Sequence, residues 1–401
     1  MKVLMLGWEL PPHNSGGLGI ACYHLCKALS KKDLSIEFIL PYQAEHGIDF
    51  MNITAATPQD AATVLRSGIA YDSHKYIHKD GSEEWLDVFD QQKLYEHAVA
   101  RMVDEKEFDV VHAHDWLTFR AALRVKELKN CPIILHVHSV ESDRAGSGPG
   151  NPLVREIEET SMHLADRIIA VSQHTKNAIV RDYLVPASKI EVIHNSIDAD
   201  SLTPLDDSTA YRYLEAMKAQ GYRVVVNVGR LTVQKGLPNL LRAAQQVIAK
   251  APKTLFLIVG SGEQSYELIE LAAELDIGPN VLFADFQRGK RWRDAFGIGD
   301  LFVMPSVSEP FGLTPLEAIG YGTPALVSKQ SGVSEVLNNC LKVDYWDINE
   351  MANQIAAVML SDPLRDELLQ NAQVEYQKLS WDDASHKVAQ LYQDHAVGAA
   401  A

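Results

Sequence analysis

Short apolar, β-branched runs recur along the chain, and the stretches between them repeat their apolar positions with a helical period. In the first half the runs occupy residues 3–6, 36–40, 110–112, 133–137, 168–171 and 192–194. In the second half they occupy 224–228, 256–259, 281–284, 301–304 and 325–327. They do not alternate apolar and polar residues as half-solvated strands do, and continuous apolar runs mark strands covered on both faces. Strand–helix alternation predicts an α/β fold, and its repetition predicts two Rossmann-like sheets. The polar stretch 198–221 separates the two sets, ahead of the run RVVVNVGR. It places an N-terminal domain at 1–200 and a C-terminal domain at 201–380. A last helix over 381–395 follows a domain that already reads as complete, and is expected to cross back to the first. Residues 42–90 are too weakly patterned for any element to be assigned.

The length of 401 residues agrees with two domains at roughly 100–200 residues each. Lys and Arg number 37 against 53 Asp and Glu, a formal net charge of −16. The first 200 residues carry 20 basic and 29 acidic side chains and the remainder 17 and 24, so both halves are acidic. That balance argues against a nucleic-acid partner, whose phosphates need neutralising, and against a polybasic hold on a membrane. A phosphate bound here must meet local cations and backbone N–H groups. The opening MKVLMLGWELPP lacks the h-region and cleavage site of a signal peptide, and no apolar run approaches about 18 residues. Cys22, Cys26, Cys131 and Cys340 have neither zinc nor redox spacing. Together these predict a cytoplasmic chain.

Ligands of open α/β sheets bind beyond the C-terminal ends of the strands, so the exit loops matter most. After the first run comes ELPPHNSGGLG and an amphipathic helix, where glycines and free N–H groups suit an anion. A tight strand–helix turn would look similar, and the spacing is not the G-x-G-x-x-G of dinucleotide sites. The second domain opens with GRLTVQKG, which puts Arg230 and Lys235 between a strand and a helix, where a diphosphate could be neutralised. By themselves they would read as surface cations. SEPFGLTPLEA sets Glu309 in an exit loop, exposes N–H groups at Phe311, Gly312 and Leu313, and places Glu317 in the following helix. A carboxylate can accept two sugar hydroxyls at once, whereas complementing a helix dipole would account for Glu317 alone.

The loops SGGLG, HAHDW, GRLTVQKG and SEPFGLTPLE, in this order, resemble the retaining GT-B glycosyltransferases of family 4. The runs RIIAVSQHTKNAI, IHNSID and GTPALVSKQSGVSEV extend the resemblance over about residues 1–395. WELPP…GGLG and HAHDW are most similar to the glycogen/starch synthase-like members. The resemblance implies an α/β GT-B fold, two Rossmann-like domains facing each other across a crevice. It implies that Gly16 and Gly17 approach the donor phosphates and that Arg230 and Lys235 bind the diphosphate. Glu309 and Glu317 match the E-x7-E motif, with Glu309 on the donor hexose and Glu317 on the ribose; Phe311, Gly312, Leu313 and Thr314 line the donor. His138 matches an active-site histidine beside the donor sugar, and Asp115 an aspartate on the acceptor side. The implied reaction is retaining transfer of a hexose, with glucose the leading candidate, from UDP- or ADP-glucose. The acceptor is a carbohydrate or another hydroxyl, with an α-glucan ahead of a small metabolite, a lipid or a surface polysaccharide.

Two other classes compete. His112-Ala113-His114 and His136-Val137-His138 are H-x-H pairs that could ligate a metal in a hydrolase, but sites of that kind need further ligands on later strands. Asp198-Ala199-Asp200 has a D-x-D spacing but lies in the linker and reads as a turn or cap. We therefore expect no metal and no cofactor, with Arg230, Lys235 and helix N-termini supplying the positive charge. A nucleotide-sugar-binding protein without turnover is the other class, and the presence of both cations and both glutamates speaks against it.

Overall fold

The computed structural model describes residues 1–13, 16–57, 61–66, 74–78, 80–146, 148–198 and 201–396, with 61–66 and 74–78 described as backbone. Two compact units emerge. Unit 1 comprises Met1–Ser142, Pro149–Ser196 and Trp381–Ala401, and unit 2 comprises Asp143–Gly148 and Ile197–Ser380. The D-x-D stretch lies partly outside the described residues, since Ala199 and Asp200 are among those omitted.

In unit 1 the strands are β1 (Lys2–Leu6), β2 (Ser35–Leu40), β3 (Asn52–Ala55), β4 (Ala61–Arg66), β5 (His74–His78) and β6 (Glu83–Leu86), then β7 (Val110–His114), β8 (Ile133–Val137), β9 (Arg167–Ala170) and β10 (Ile190–Val192). Seven of them form one sheet in the order β10-β9-β8-β7-β1-β2-β3, and every pairing in it is parallel. Alternate residues feed two cores. Leu4, Leu6, Val111 and Leu135 pack on one face, and Val3, Met5, Val110 and Ile134 on the other. The helix Trp381–Ala396 adds Trp381, Val388, Leu391 and Tyr392 to the second core, beside the helix Gly17–Leu29. Each such buried side chain contributes about 1.5–3 kcal/mol, so this late segment is an integral part of unit 1.

The weakly patterned stretch holds β3 and a three-stranded antiparallel sheet, β4-β5-β6. β3 and β6 escape an apolar-run reading because they have four residues each and are open to solvent in part or in most of their length. Three of the four residues of β6 are exposed, and β3 is an edge strand with one exposed and three half-buried residues. The tenth strand is Ile190–Val192 rather than 192–194, because the helical turn Ala187–Lys189 delivers the chain to the sheet two residues earlier.

Unit 2 contains β11 (Arg223–Val228), β12 (Thr254–Val259), β13 (Val281–Phe283), β14 (Leu301–Met304), β15 (Ala325–Ser328) and β16 (Leu341–Val343). Their order, β13-β12-β11-β14-β15-β16, is again wholly parallel. β16 has only three residues and a central lysine, too little to register as an apolar run. In both units the order reverses beside the first strand, at β1/β7 and at β11/β14. These are the topological switch points at which open α/β sheets build their sites. Among the described residues no helix is long and apolar enough to cross a membrane.

At the unit 2 switch point the exit loops touch. A Cβ on Gly260, at φ +144°, would lie 1.8 Å from the Gly229 carbonyl oxygen, so the loop after β12 lies against the backbone before Arg230. Gly260→Ala must push that backbone aside and hold a φ that L-residues disfavour. We expect it to destabilise unit 2 by about 2–3 kcal/mol, read as a lower denaturant midpoint. An unchanged midpoint would refute the contact.

Candidate functional site

Beyond β11 the chain runs through Gly229 and Arg230 into the turn Val233–Lys235 and then Gly236, at φ +65°. Beyond β14 it runs through Pro305 to Leu313 and into the helix Thr314–Gly320. The two loops are tied together, because Val307 N–H donates to the Gln234 carbonyl at 2.8 Å and a Cβ on Gly236 would lie 2.2 Å from Pro305 O. That tie brings Lys235 Nζ onto Glu309 Oε2. The same oxygen accepts the Ser306 hydroxyl at 3.1 Å. Glu309 is 8 % exposed, and its backbone is held on both sides, by Gln330 O and by Gly332 N–H, each at 2.9 Å. Sequence reasoning passed over Ser306 and Gln234; both are polar yet buried, a property no spacing rule reports.

Arg230 is exposed, and its guanidinium reaches Gln234 Oε1 at 3.5 Å. It stands at the loop surface, and its partner Gln234 directly precedes Lys235 in the chain. Phe311 is 3 % exposed and packs inward, so its ring is part of the core. Gly312 takes φ +94°, and Leu313 and Thr314 are half-buried at the helix start. Glu317 sits in the helix itself, half-buried, with no hydrogen-bond partner for its carboxylate among the described residues. Burial pushes its pKa up to about 7.

In unit 1 the loop after β1 leads to Gly16, extended at φ −164°, which caps the helix Gly17–Leu29. A Cβ on Gly16 would meet nothing within 4 Å, so the fold itself does not demand glycine there. Ser15 of the glycine motif lies outside the described residues. Glu9, only 1 % exposed, accepts the Gly19 N–H at 3.2 Å. One of the helix's first N–H groups thus has a carboxylate on it.

Beyond β7, Asp115 holds φ 59° and ψ 168°, a region nearly reserved for glycine. Its Oδ1 accepts the backbone N–H of His138 at 2.6 Å and of Ser139 at 3.3 Å, and the residue is 2 % exposed. Asp115 anchors the start of the loop after β8, and with it His138. The histidines of both H-x-H pairs share one face of the sheet. His112 stacks on His114 with centroids 4.5 Å apart, and His136 on His138 at 4.2 Å. His112 bonds Tyr392 OH through Nδ1 and His136 Nδ1 through Nε2, the latter at 3.1 Å. His114 bonds His138 Nε2 at 3.0 Å and Met5 Sδ at 3.1 Å. Burial lowers all four pKa values, to about 3 for His112 and His138, so the rings are neutral near pH 7. Donor atoms of His112, His114 and His136, and of Cys22, His114 and His138, lie within 4.8 Å of one another. The nitrogens of His112 and His114 are already hydrogen-bonded, and burial holds the Cys22 thiol protonated.

The Glu317 shift sets a pH dependence. The folded pKa of about 7 exceeds the ordinary value of 4.5, so the native state binds more protons than the unfolded chain between those values. Stability therefore falls as pH rises through that window. Glu317→Gln removes this loss, so its melting point should gain on the wild type from acid to neutral pH. A difference independent of pH would show that the carboxyl is not held neutral by burial.

A family profile described as Glycosyltransferase Family 4 matches residues 15–201, and one described as Glycosyl transferases group 1 matches 215–375. An uncharacterized glycosyltransferase of Methanocaldococcus jannaschii is 26 % identical over 98 % of both chains. A glycogen synthase of Mycobacterium tuberculosis is 25 % identical over 98 % of this chain and 94 % of its own. Among solved structures, Anabaena Alr3699/HepE in complex with UDP and glucose superimposes with a TM-score of 0.74 at 18 % identity, covering 98 % of this chain and all of its own. Profiles over both halves and full-length relatives agree with the two doubly wound parallel sheets: the chain is a two-domain α/β glycosyltransferase of the GT-B fold, belonging to family 4.

Proposed function

We propose that this enzyme transfers a hexose, glucose by preference, from UDP- or ADP-glucose to an acceptor hydroxyl with retention at C1, and that the acceptor is an α-glucan. The observation that carries this reading is the Lys235–Glu309 pair at the unit 2 switch point, with Ser306 on the carboxylate and Arg230 in the same loop as Lys235. A nucleotide sugar presents a dianionic diphosphate next to a neutral, hydroxyl-rich ring. Arg230 and Lys235 take the diphosphate, and Glu309 takes sugar hydroxyls. Glu317, unpaired and half-buried, takes the ribose diol. Gly312, Leu313 and Thr314 line the donor with backbone, and Gly16 and Gly17 offer backbone to the phosphates. His138 lies on the sugar side, and Asp115 serves it by anchoring its backbone.

As the C1–O bond breaks, charge builds on the leaving phosphate. Fixed cations there act where the charge develops, which lowers the barrier more than it tightens the ground state. Glu309 is a poor candidate for a covalent nucleophile, because Oε2 is already shared between Lys235 and Ser306. Attack from the leaving-group side, with the phosphate accepting the acceptor's proton, suits these residues and gives retention. The reading uses no metal. The 25 % identical glycogen synthase supports the glucan acceptor, and the neighbour solved with UDP and glucose supports the donor class.

Three outcomes check this. Arg230 is exposed and makes one long hydrogen bond among the described residues, so Arg230→Ala should leave the melting point in place and cut kcat/KM for the nucleotide sugar about 100-fold. Lys235→Ala should cost at least as much, and unchanged turnover in either variant would refute the diphosphate assignment. NMR of the first-formed product should show the donor's anomeric configuration; inversion would refute retention.

A further inference from the structure

The histidine face contains a proton-position constraint that the reaction scheme does not use. Met5, wholly buried on β1, places its thioether 3.1 Å from His114 Nε2. A thioether has no proton to give, so His114 Nε2 is the N–H donor in that contact. His114 is neutral and carries one proton, which leaves its Nδ1 bare. The partner of that bare nitrogen is His138 Nε2 at 3.0 Å, which must therefore hold the proton between them. His138 is neutral as well, so its Nδ1 is left with a lone pair. The ring is half-buried, and Nδ1 has no partner among the described residues.

The other groups around the pair do not disturb this order. Cys22, on the helix Gly17–Leu29, is a buried thiol kept protonated, and so no rival anion. Phe38 stacks on His114 from β2 with centroids 6.5 Å apart and offers no polar atom. His112 and His136 stack on the pair and hydrogen-bond to each other.

We propose that Met5 is a positioning residue that, through His114, fixes His138 as the Nε2–H tautomer, so that Nδ1 accepts a hydrogen bond from a hydroxyl of the donor sugar. His138 is then an acceptor, and neither a general acid nor a donor to the ring. This rests on the sugar-side role given to His138 above. The tautomer itself does not depend on that role. Replacing Met5 by leucine keeps the volume but leaves the His114 N–H facing hydrocarbon. A buried orphan N–H is disfavoured, so His114 should give up its Nε2 proton to solvent and take the shared proton at Nδ1, while His138, whose Nε2 now accepts, takes a proton from solvent at Nδ1 and both rings stay neutral.

The test is the side-chain 15N spectrum of histidine-labelled full-length protein, with His138 assigned from the signal lost in His138→Asn. In the wild type near neutral pH, His138 should read as protonated at Nε2 and bare at Nδ1. Met5→Leu should shift it toward the opposite tautomer and lower kcat/KM for the nucleotide sugar roughly threefold to tenfold, with the melting point nearly unchanged. His138→Asn, whose amide lies near the Nδ1 position, should retain more activity than His138→Gln. A wild-type His138 protonated at Nδ1 overturns the proposal, as does a Met5→Leu spectrum identical to the wild type. Stoichiometric added Zn²⁺ that moves the His114 and His138 signals together would overturn it in favour of a metal site. Full activity in His138→Ala would refute the sugar-side role while leaving the tautomer result standing.

Discussion

A lysine–glutamate pair at the C-terminal edge of a buried parallel sheet sets the terms for unit 2. Glu309 is nearly sealed from solvent, and a carboxylate in such a place is tolerable only with a cation and a hydrogen bond on it. To meet that requirement the loops after β11 and β14 must lie against each other. The Val307–Gln234 bond, the close approach of Gly236 to Pro305 and the buried Ser306 all serve this contact. Breaking such a pair by removing one partner typically costs about 3–5 kcal/mol. The fold itself thus holds the two loops in one arrangement.

The same physics explains what could be read from the chain. Strands covered on both faces are apolar throughout, so β1, β2, β7–β9, β11, β12, β14 and β15 stand out as runs. β3 and β6 are short and partly or mostly exposed, so neither stands out as an apolar run. The apolar run at β7 ends at His112, and the strand continues to His114 with every residue buried. An imidazole can live in a core when another imidazole satisfies it, and that pairing joins strands 24 residues apart. Glu9 and Ser306 were unreadable for a related reason. Their partners, Gly19 N–H and Glu309, are set by how the loops fold back.

Asp115 shows how a motif residue and its physical task can differ. In HAHDW it resembles an acceptor-side aspartate, yet here it is buried and bonded to the backbone of His138 and Ser139. Its strained φ is held by those bonds together with its own N–H to His136 O, at 3.0 Å. The strain is local and the benefit is positional, because the loop that carries His138 begins at a fixed point.

The two units handle charge in opposite ways. Unit 2 sets Arg230 and Lys235 in the loop beyond β11, despite an acidic chain of net charge −16. Unit 1 gathers four imidazoles at its own and holds them neutral by burial. An imidazolium there would have to be desolvated at considerable cost, and it would offer a hydroxyl only donors. A neutral ring keeps one lone pair. Which nitrogen carries that lone pair is decided by the first atom in the chain that cannot donate, and in this protein that atom is the sulfur of Met5.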